Sequence, residues 1–254
     1  MDSAKHIEKL PNSPLQEVVF ELFWELEMDN NGMPDETDYE LALGVFAEKI
    51  KTTLPYNIKS DFNISQNVGI RLFPFPRHQF WKGPKTWPVV QIGPGILVVN
   101  DVEQNYIWRE FRKQIVNAFN ALNKAYNKSI NFNLVRLKYI DAFEIGNQKM
   151  LDFINNNFTI SLSNSFGLDK QPEILNIGQR FLFENDGNLD IYISSAFKDP
   201  GKPTILWQSI FSREGKITTD EVVTWLDKAH GILSNQFKNF VKPNFYARFT
   251  DTKN

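Results

Sequence analysis

The chain has 254 residues, 42% of them hydrophobic and 14% aromatic, with 28 Lys and Arg against 30 Asp and Glu for a net charge of −2. So generous a supply of apolar side chains excludes a disordered chain, and the near-neutral balance argues against a dedicated nucleic-acid binder. The absence of cysteine excludes a disulfide framework, a thiolate metal centre and a thiol nucleophile.

The first predicted element is a strand. Val18, Phe20, Leu22, Trp24 and Leu26 alternate with Glu17, Val19, Glu21, Phe23, Glu25 and Glu27. Period two puts the first set on a core face and the glutamates on a face expected to meet solvent. Turn residues from Asp29 to Pro34 lead into a helix predicted from Asp35 to Leu54, with Tyr39, Leu43, Phe46, Ala47, Ile50 and Leu54 on one stripe and Pro55 as its stop. Short strands are predicted at Val68–Phe73 and Gln79–Trp81, and Val89–Ile92 with Ile96–Asn100 reads as a tight hairpin about Gly93-Pro94-Gly95. A second helix spans Gln104–Tyr126.

The same order then recurs. A strand covers Phe132–Ile145, a short helix Lys149–Asn157, and a further strand Phe158–Leu162. Gln179–Glu184 and Leu189–Phe197 flank Asn185-Asp186-Gly187-Asn188, where Asp-Gly suits a type I′ hairpin turn. After a strand at Thr204–Ser212, Thr218 and Glu221 form a capping box for a closing helix with the stripe Val222, Trp225, Leu226, Ala229, Ile232, Leu233, Phe237 and Phe240, ended by Pro243. The expected fold class is α+β: two tandem β-α-β(3–4)-α units, 1–130 and 131–254, with antiparallel sheet and helices on one face. The units either join edge to edge, as in the TBP-like arrangement, or pack as separate lobes. No window approaches about 18 consecutive apolar residues, and Met1–Leu10 is too charged for a signal core, so the expectation is a cytoplasmic protein without a membrane partner.

Five stretches carry a resemblance. They are Leu10-Pro11-Asn12-Ser13-Pro14 with the strand to Glu21, the hairpin Val90–Asn100, Trp108-Arg109-Glu110-Phe111, Leu137-Lys138-Tyr139-Ile140-Asp141, and Trp225-Leu226-Asp227-Lys228-Ala229-His230. Together they resemble a sporadically distributed family of uncharacterised bacterial proteins of about this length. The resemblance runs through nearly the whole chain and implies one family unit, with no established activity to carry over. Sporadic distribution implies an accessory or defence-type locus. Asp141, where relatives often have Asn, and the longer aromatic segment before the hairpin depart from the family pattern.

No catalytic motif, nucleotide loop or metal-ligand spacing occurs, so no catalytic residue, metal or cofactor is assigned. His6, His78 and His230 are far apart in sequence, and His230, beside Asp227 and just off the helix stripe, reads as structural. The acids Asp35, Glu36, Asp38 and Glu40 fit the first turn of a helix better than a cation site. Gly93-Pro94-Gly95 is too short to wrap a phosphate.

The densest chemistry lies in Phe73–Trp87, where Phe75, Arg77, His78, Phe80 and Trp81 interleave rings with cations among prolines. That composition suits a protein hot spot or base stacking, and equally an edge strand whose rings fold under the sheet. On the strand Phe132–Ile145, Arg136 and Lys138 share a face while Tyr139 lies on the other. Arg136 and Lys138 face either an anion or Glu21 and Glu25 of the first strand. Charge is split along the chain, with ten acids and no Lys or Arg over Glu17–Glu48, then fourteen Lys and Arg against four acids over Lys49–Lys138. Pairing between the two stretches explains that split most simply. The leading functional expectation is a non-enzymatic binding protein acting on a protein partner or by self-association. Its rivals are a small-ligand protein or enzyme with a pocket between sheet and helices, and nucleic-acid binding through the 49–138 stretch.

Overall fold

A computed structural model describes residues 10–28, 34–59, 74–102, 106–126, 129–163, 170, 172–197 and 202–251. The strands are β1 (Leu15–Trp24), β2 (Glu27–Met28), β3 (Pro34–Asp35), β4 (Tyr56–Lys59), β5 (His78–Trp81), β6 (Val89–Gly93), β7 (Ile96–Asp101), β8 (Phe132–Glu144), β9 (Asn176–Phe183), β10 (Gly187–Phe197) and β11 (Pro203–Ile217). The helices are α1 (Tyr39–Ile50), α2 (Trp108–Ala125), α3 (Met150–Asn157), α4 (Thr219–Phe240) and α5 (Pro243–Thr250). The fold is α+β, with a nine-stranded antiparallel sheet in the order β4-β5-β6-β7-β1-β8-β11-β10-β9 and a small β2-β3 pair. Among the described residues, no helix is long and apolar enough to cross a membrane. The chain divides into two compact units, Val18–Leu137 with Ser212–Leu226, and Met1–Glu17 with Lys138–Phe211 and Asp227–Asn254.

In the first of these, the β6–β7 unit, alternation fixes the core. Phe20, Leu22 and Trp24 point inward with Phe80, Val90, Ile92, Leu97 and Val99. They meet Phe46 of α1 and Phe111, Ile115, Phe119 and Leu122 of α2, all buried. Edge-on ring contacts tie the elements together: Phe46 of α1 on Phe80 at 5.4 Å, Trp24 on Tyr126 at the end of α2 at 6.0 Å, and Trp24 of β1 on Phe132 of β8 at 6.5 Å. The hairpin turns on Gly95, whose φ of +73° favours glycine. Gly93 is needed for a different reason: a Cβ there would lie 2.0 Å from the Phe75 carbonyl oxygen, so the 74–77 segment passes against bare backbone.

The second face of β1 is not the solvent face expected from its glutamates. Val19, Ile96 and Val98 are only 4–6% exposed and form a small core of their own with Phe23. The reason is register. Glu21 pairs with Val98 and Phe23 with Ile96, so apolar side chains of neighbouring strands shield one another. The Arg136 guanidinium then lies 5.4 Å over Phe23 and 3.6 Å from the Glu21 carboxylate.

The other unit, the β9–β10 unit, gathers its rings around Phe158. Phe143, Phe153 and Phe245 meet it at 5.0–5.9 Å, and Phe240 of α4 stacks on it at 4.6 Å. The segment Phe158–Leu162 is therefore no strand; it makes one bridge, from Phe158 to Val241, and otherwise serves as a packing loop. Pro243 stops α4 as expected and also starts α5, because its ring presets the first helical position. Asn12 caps the far end of that helix: its side-chain amide donates to the carbonyls of Arg248 (3.1 Å) and Asp251 (2.9 Å), and its backbone N–H to that of Phe249 (3.1 Å).

Other boundaries move for local reasons. The first helix starts at Tyr39 instead of Asp35, and Pro34–Asp35 pairs with Glu27–Met28. β4, with all four residues exposed, has no alternation by which the sequence could reveal it. The β9–β10 hairpin closes through a loop in which Asn185 takes the left-handed conformation, φ +64°, so the turn is not an Asp-Gly type I′ turn. Of the capping box at Thr218, the carboxylate half forms: Glu221 accepts from the Thr218 backbone N–H and hydroxyl, both at 2.8 Å. Those bonds, with Arg213, pull the Glu221 carboxyl down to about 2. The expected strand Val68–Phe73, and His6, lie outside the described residues.

Candidate functional site

A half-open hollow lies within the β9–β10 unit, between the strands and the C-terminal half of α4. Its floor is set by strand parity. Ile177, Gln179 and Phe181 of β9 face the same way as Ile193, Ile191 and Leu189, their direct partners on β10. Trp207 of β11 continues that floor, and Ile232, Gln236 and Phe240 of α4 form the facing wall with Thr159 and Ile160. The half-open groove holds about 670 Å³, within the range of small-molecule sites. None of the described residues lining it is ionisable; the polar side chains among them include Thr159, Gln179, Asn235, Gln236 and Asn239.

One of those amides is oriented from below. The Trp207 indole N–H donates to Ser209 Oγ at 2.6 Å, and that hydroxyl donates to Gln236 Oε1 at 3.0 Å. An indole nitrogen only donates, so Ser209 Oγ accepts from Trp207 and keeps its own hydrogen for Gln236 Oε1. It occupies the carbonyl end of Gln236 and leaves the amide nitrogen as the end with hydrogens to offer.

A second hollow, of about 520 Å³, lies in the β6–β7 unit among Glu25, Asn131, Asn133, Glu214 and Lys216. It is lined by charges of both signs. Among the described residues, no group of three or more His, Asp or Glu could hold a metal ion.

The residues singled out from sequence are placed otherwise. Phe80 and Trp81 are buried, 2% and 6% exposed, in the β6–β7 core, where Trp81 packs edge-on against Trp87 at 5.0 Å. His78 is buried as well and hydrogen-bonds through Nδ1 to the Tyr39 hydroxyl at 2.9 Å. Burial lowers the His78 pKa, keeping the ring neutral, and raises that of Tyr39. Arg77 is exposed and lies 5.5 Å over the ring of half-buried Phe75 and 5.8 Å over Tyr39. Arg136 reaches Glu21, the pairing that the split charge distribution suggested. Lys138 is half-buried. Tyr139 is buried in the β9–β10 unit with its hydroxyl 2.7 Å from His230 Nδ1. Burial holds the His230 pKa down at about 4.

Of the eight, then, Phe75, Arg77 and His78 gather near Tyr39, Phe80 and Trp81 serve the core, and none lines the 670 Å³ groove. The groove residues had a signal of their own. Ile177, Gln179, Phe181 and Phe183 alternate on a strand, and Asn235, Gln236 and Asn239 put three amides on one stretch of helix. Neither pattern carries the charge or ring density that marks a site by composition. Against known proteins, no family model matches the chain and no curated protein matches it.

Proposed function

We propose that the protein is a non-enzymatic binding protein whose ligand is a neutral, largely apolar small molecule seated in the β9–β10 groove. The observation that carries this reading is the groove's lining: apolar walls around about 670 Å³ in which the described residues bring uncharged amides, one hydroxyl and an indole, and no charge. A charged ligand would be stripped of water there without a counter-charge, a cost of several kcal/mol. A neutral ligand loses only apolar hydration, which favours entry. The donor end of the Gln236 amide suits a ligand with one accepting oxygen, such as a carbonyl, ester or ether.

The test is titration of the purified protein with Nile red, a neutral apolar fluorophore, followed by displacement with neutral and anionic alkyl compounds of matched length. Saturable binding is expected, lost in Ile177→Trp, which fills the groove, with neutral compounds competing at least about tenfold better than anionic ones, a difference of 1.4 kcal/mol. Binding that survives Ile177→Trp, or that favours anions, overturns the reading.

A further inference from the structure

β9 ends the sheet, and among the described residues no strand pairs with its outer edge. Exposed edges usually carry a device against pairing with another chain: shortness, proline, a bulge, or charge. β4, at the other end of the strand order, has two of these, being four residues long and ending in Lys59. β9 has none. Its eight residues pair with β10 in unbroken register from Asn176 to Phe183, without proline or bulge. Its single charge, Arg180, is held by Asp190 of the adjacent strand through two bonds of 2.6 and 2.8 Å. Leu182 is 78% exposed and Phe181 45%. Gly178, a weak point in a bare strand, is covered by the Tyr192 ring, 3.1 Å from where a Cβ would stand.

We propose that a second copy of this chain pairs with β9, antiparallel, about a two-fold axis normal to the sheet. The occupant follows from the edge itself. An isologous joint brings each residue against its own strand reversed, so a strand with a net charge meets like charge, whereas this one is neutralised within its own chain. Directly opposed residues of an antiparallel ladder share a face, so the axis must pass through a residue and not between two. An axis at Arg180 would set two guanidinium groups opposite each other. An axis at Gln179 sets amide against amide and Ile177 of each copy against Phe181 of the other, two apolar pairs on the groove side. Such an axis also keeps both grooves on one face of the extended sheet, side by side. The joint is read from the edge alone and stands whether or not the groove takes a ligand.

Because the chain lacks cysteine, one introduced thiol reports the joint cleanly. Facing residues of such a ladder lie about 4.5–5.5 Å apart at Cα, inside the ~4.4–6.8 Å that a disulfide spans. Gln179→Cys, oxidised gently at micromolar concentration, is expected to give a covalent dimer in at least about tenfold higher yield than Phe181→Cys or Lys113→Cys, a control on the exposed face of α2. Light scattering of the unmodified protein is expected to give twice the chain mass, and Phe181→Lys to halve it. A monomeric unmodified protein, equal yields from the three thiols, or a dimer indifferent to Phe181→Lys overturns the proposal. A stronger yield from Phe181→Cys overturns the axis. Co-purification of another protein whose removal frees the edge as a monomer overturns the self-pairing in favour of an extended foreign segment.

Discussion

The two units place their aromatic bulk differently. In the β6–β7 unit the rings interlock between helix and strand, Phe46 on Phe80 and Phe119 on Phe132, with Trp24 on Phe132 joining two strands beneath them. In the β9–β10 unit five rings crowd around Phe158, fed by α3, α5 and the end of α4. Fewer are left for the β9–β10 strands, where Phe181 stays 45% exposed and Phe183 finds Phe211 at 5.4 Å. The same supply of phenylalanine thus gives a closed core in one unit and an anchored core beside a groove in the other.

The largest expected effect tests that division directly. Phe158→Ala removes a fully buried ring with neighbours on every side and is expected to cost about 3–5 kcal/mol in urea unfolding. Phe181→Ala, at the open groove, is expected to cost about 1 kcal/mol or less. Equal losses would mean that the groove is closed in solution.

Two buried ionisable groups sharpen the picture of the β9–β10 core, and they pull in opposite directions. Burial raises Asp141 from 3.8 to about 7, so the folded state holds its proton more tightly. Its contribution is full below pH 4 and is lost as pH rises to 7, by up to about 4 kcal/mol. His230 is lowered from 6.5 to about 4, so the unfolded chain binds the proton more tightly. Its contribution is full above pH 6.5 and is lost as pH falls to 4, by about 2 kcal/mol after allowing for partial exposure. In wild type the two slopes oppose each other between pH 4 and 6.5. Asp141→Asn is expected to be more stable than wild type at pH 8 and to lose stability steadily into acid. His230→Gln is expected to leave the Asp141 slope exposed, most stable near pH 4. Unfolding midpoints across pH for the three proteins settle both, and parallel curves would place the titrating groups elsewhere.

How much of this the sequence discloses depends on whether a residue's burial follows from its own strand or helix or from distant packing. The inward faces of β1, β8, α2 and α4 are readable because period two or 3.6 names the buried residues directly, as Phe20, Leu22 and Trp24 show. The second face of β1 is not readable, since Val19 is buried by Ile96 and Val98, side chains almost eighty positions away. The aromatic segment before the hairpin illustrates the opposite hazard. Phe80 and Trp81 stand among cations in sequence, yet both are buried on opposite faces of β5, Phe80 under Phe46 of α1 and Trp81 against Trp87. The groove is set by volume left unfilled among four elements, a quantity that no local pattern contains.

The smallest effect probes the cap that the segment before β1 places on α5. Asn12 supplies three hydrogen bonds to the end of α5, two from its amide nitrogen, to carbonyls that otherwise lack helical partners. Asn12→Ala keeps the backbone bond and loses the other two, an expected cost of about 1 kcal/mol because water can replace them at this exposed position. Asn12→Asp is the sharper variant, since it is nearly isosteric but turns a donor into an acceptor. It sets a carboxylate against carbonyl oxygens at the negative end of a helix, so it should be less stable than the alanine variant at neutral pH. The gap between them should close below about pH 4, where the new carboxyl protonates and can donate again. If Asn12→Asp instead matches Asn12→Ala at every pH, the amide nitrogen is not the atom that faces those carbonyls, and the cap rests on the backbone bond to Phe249 alone.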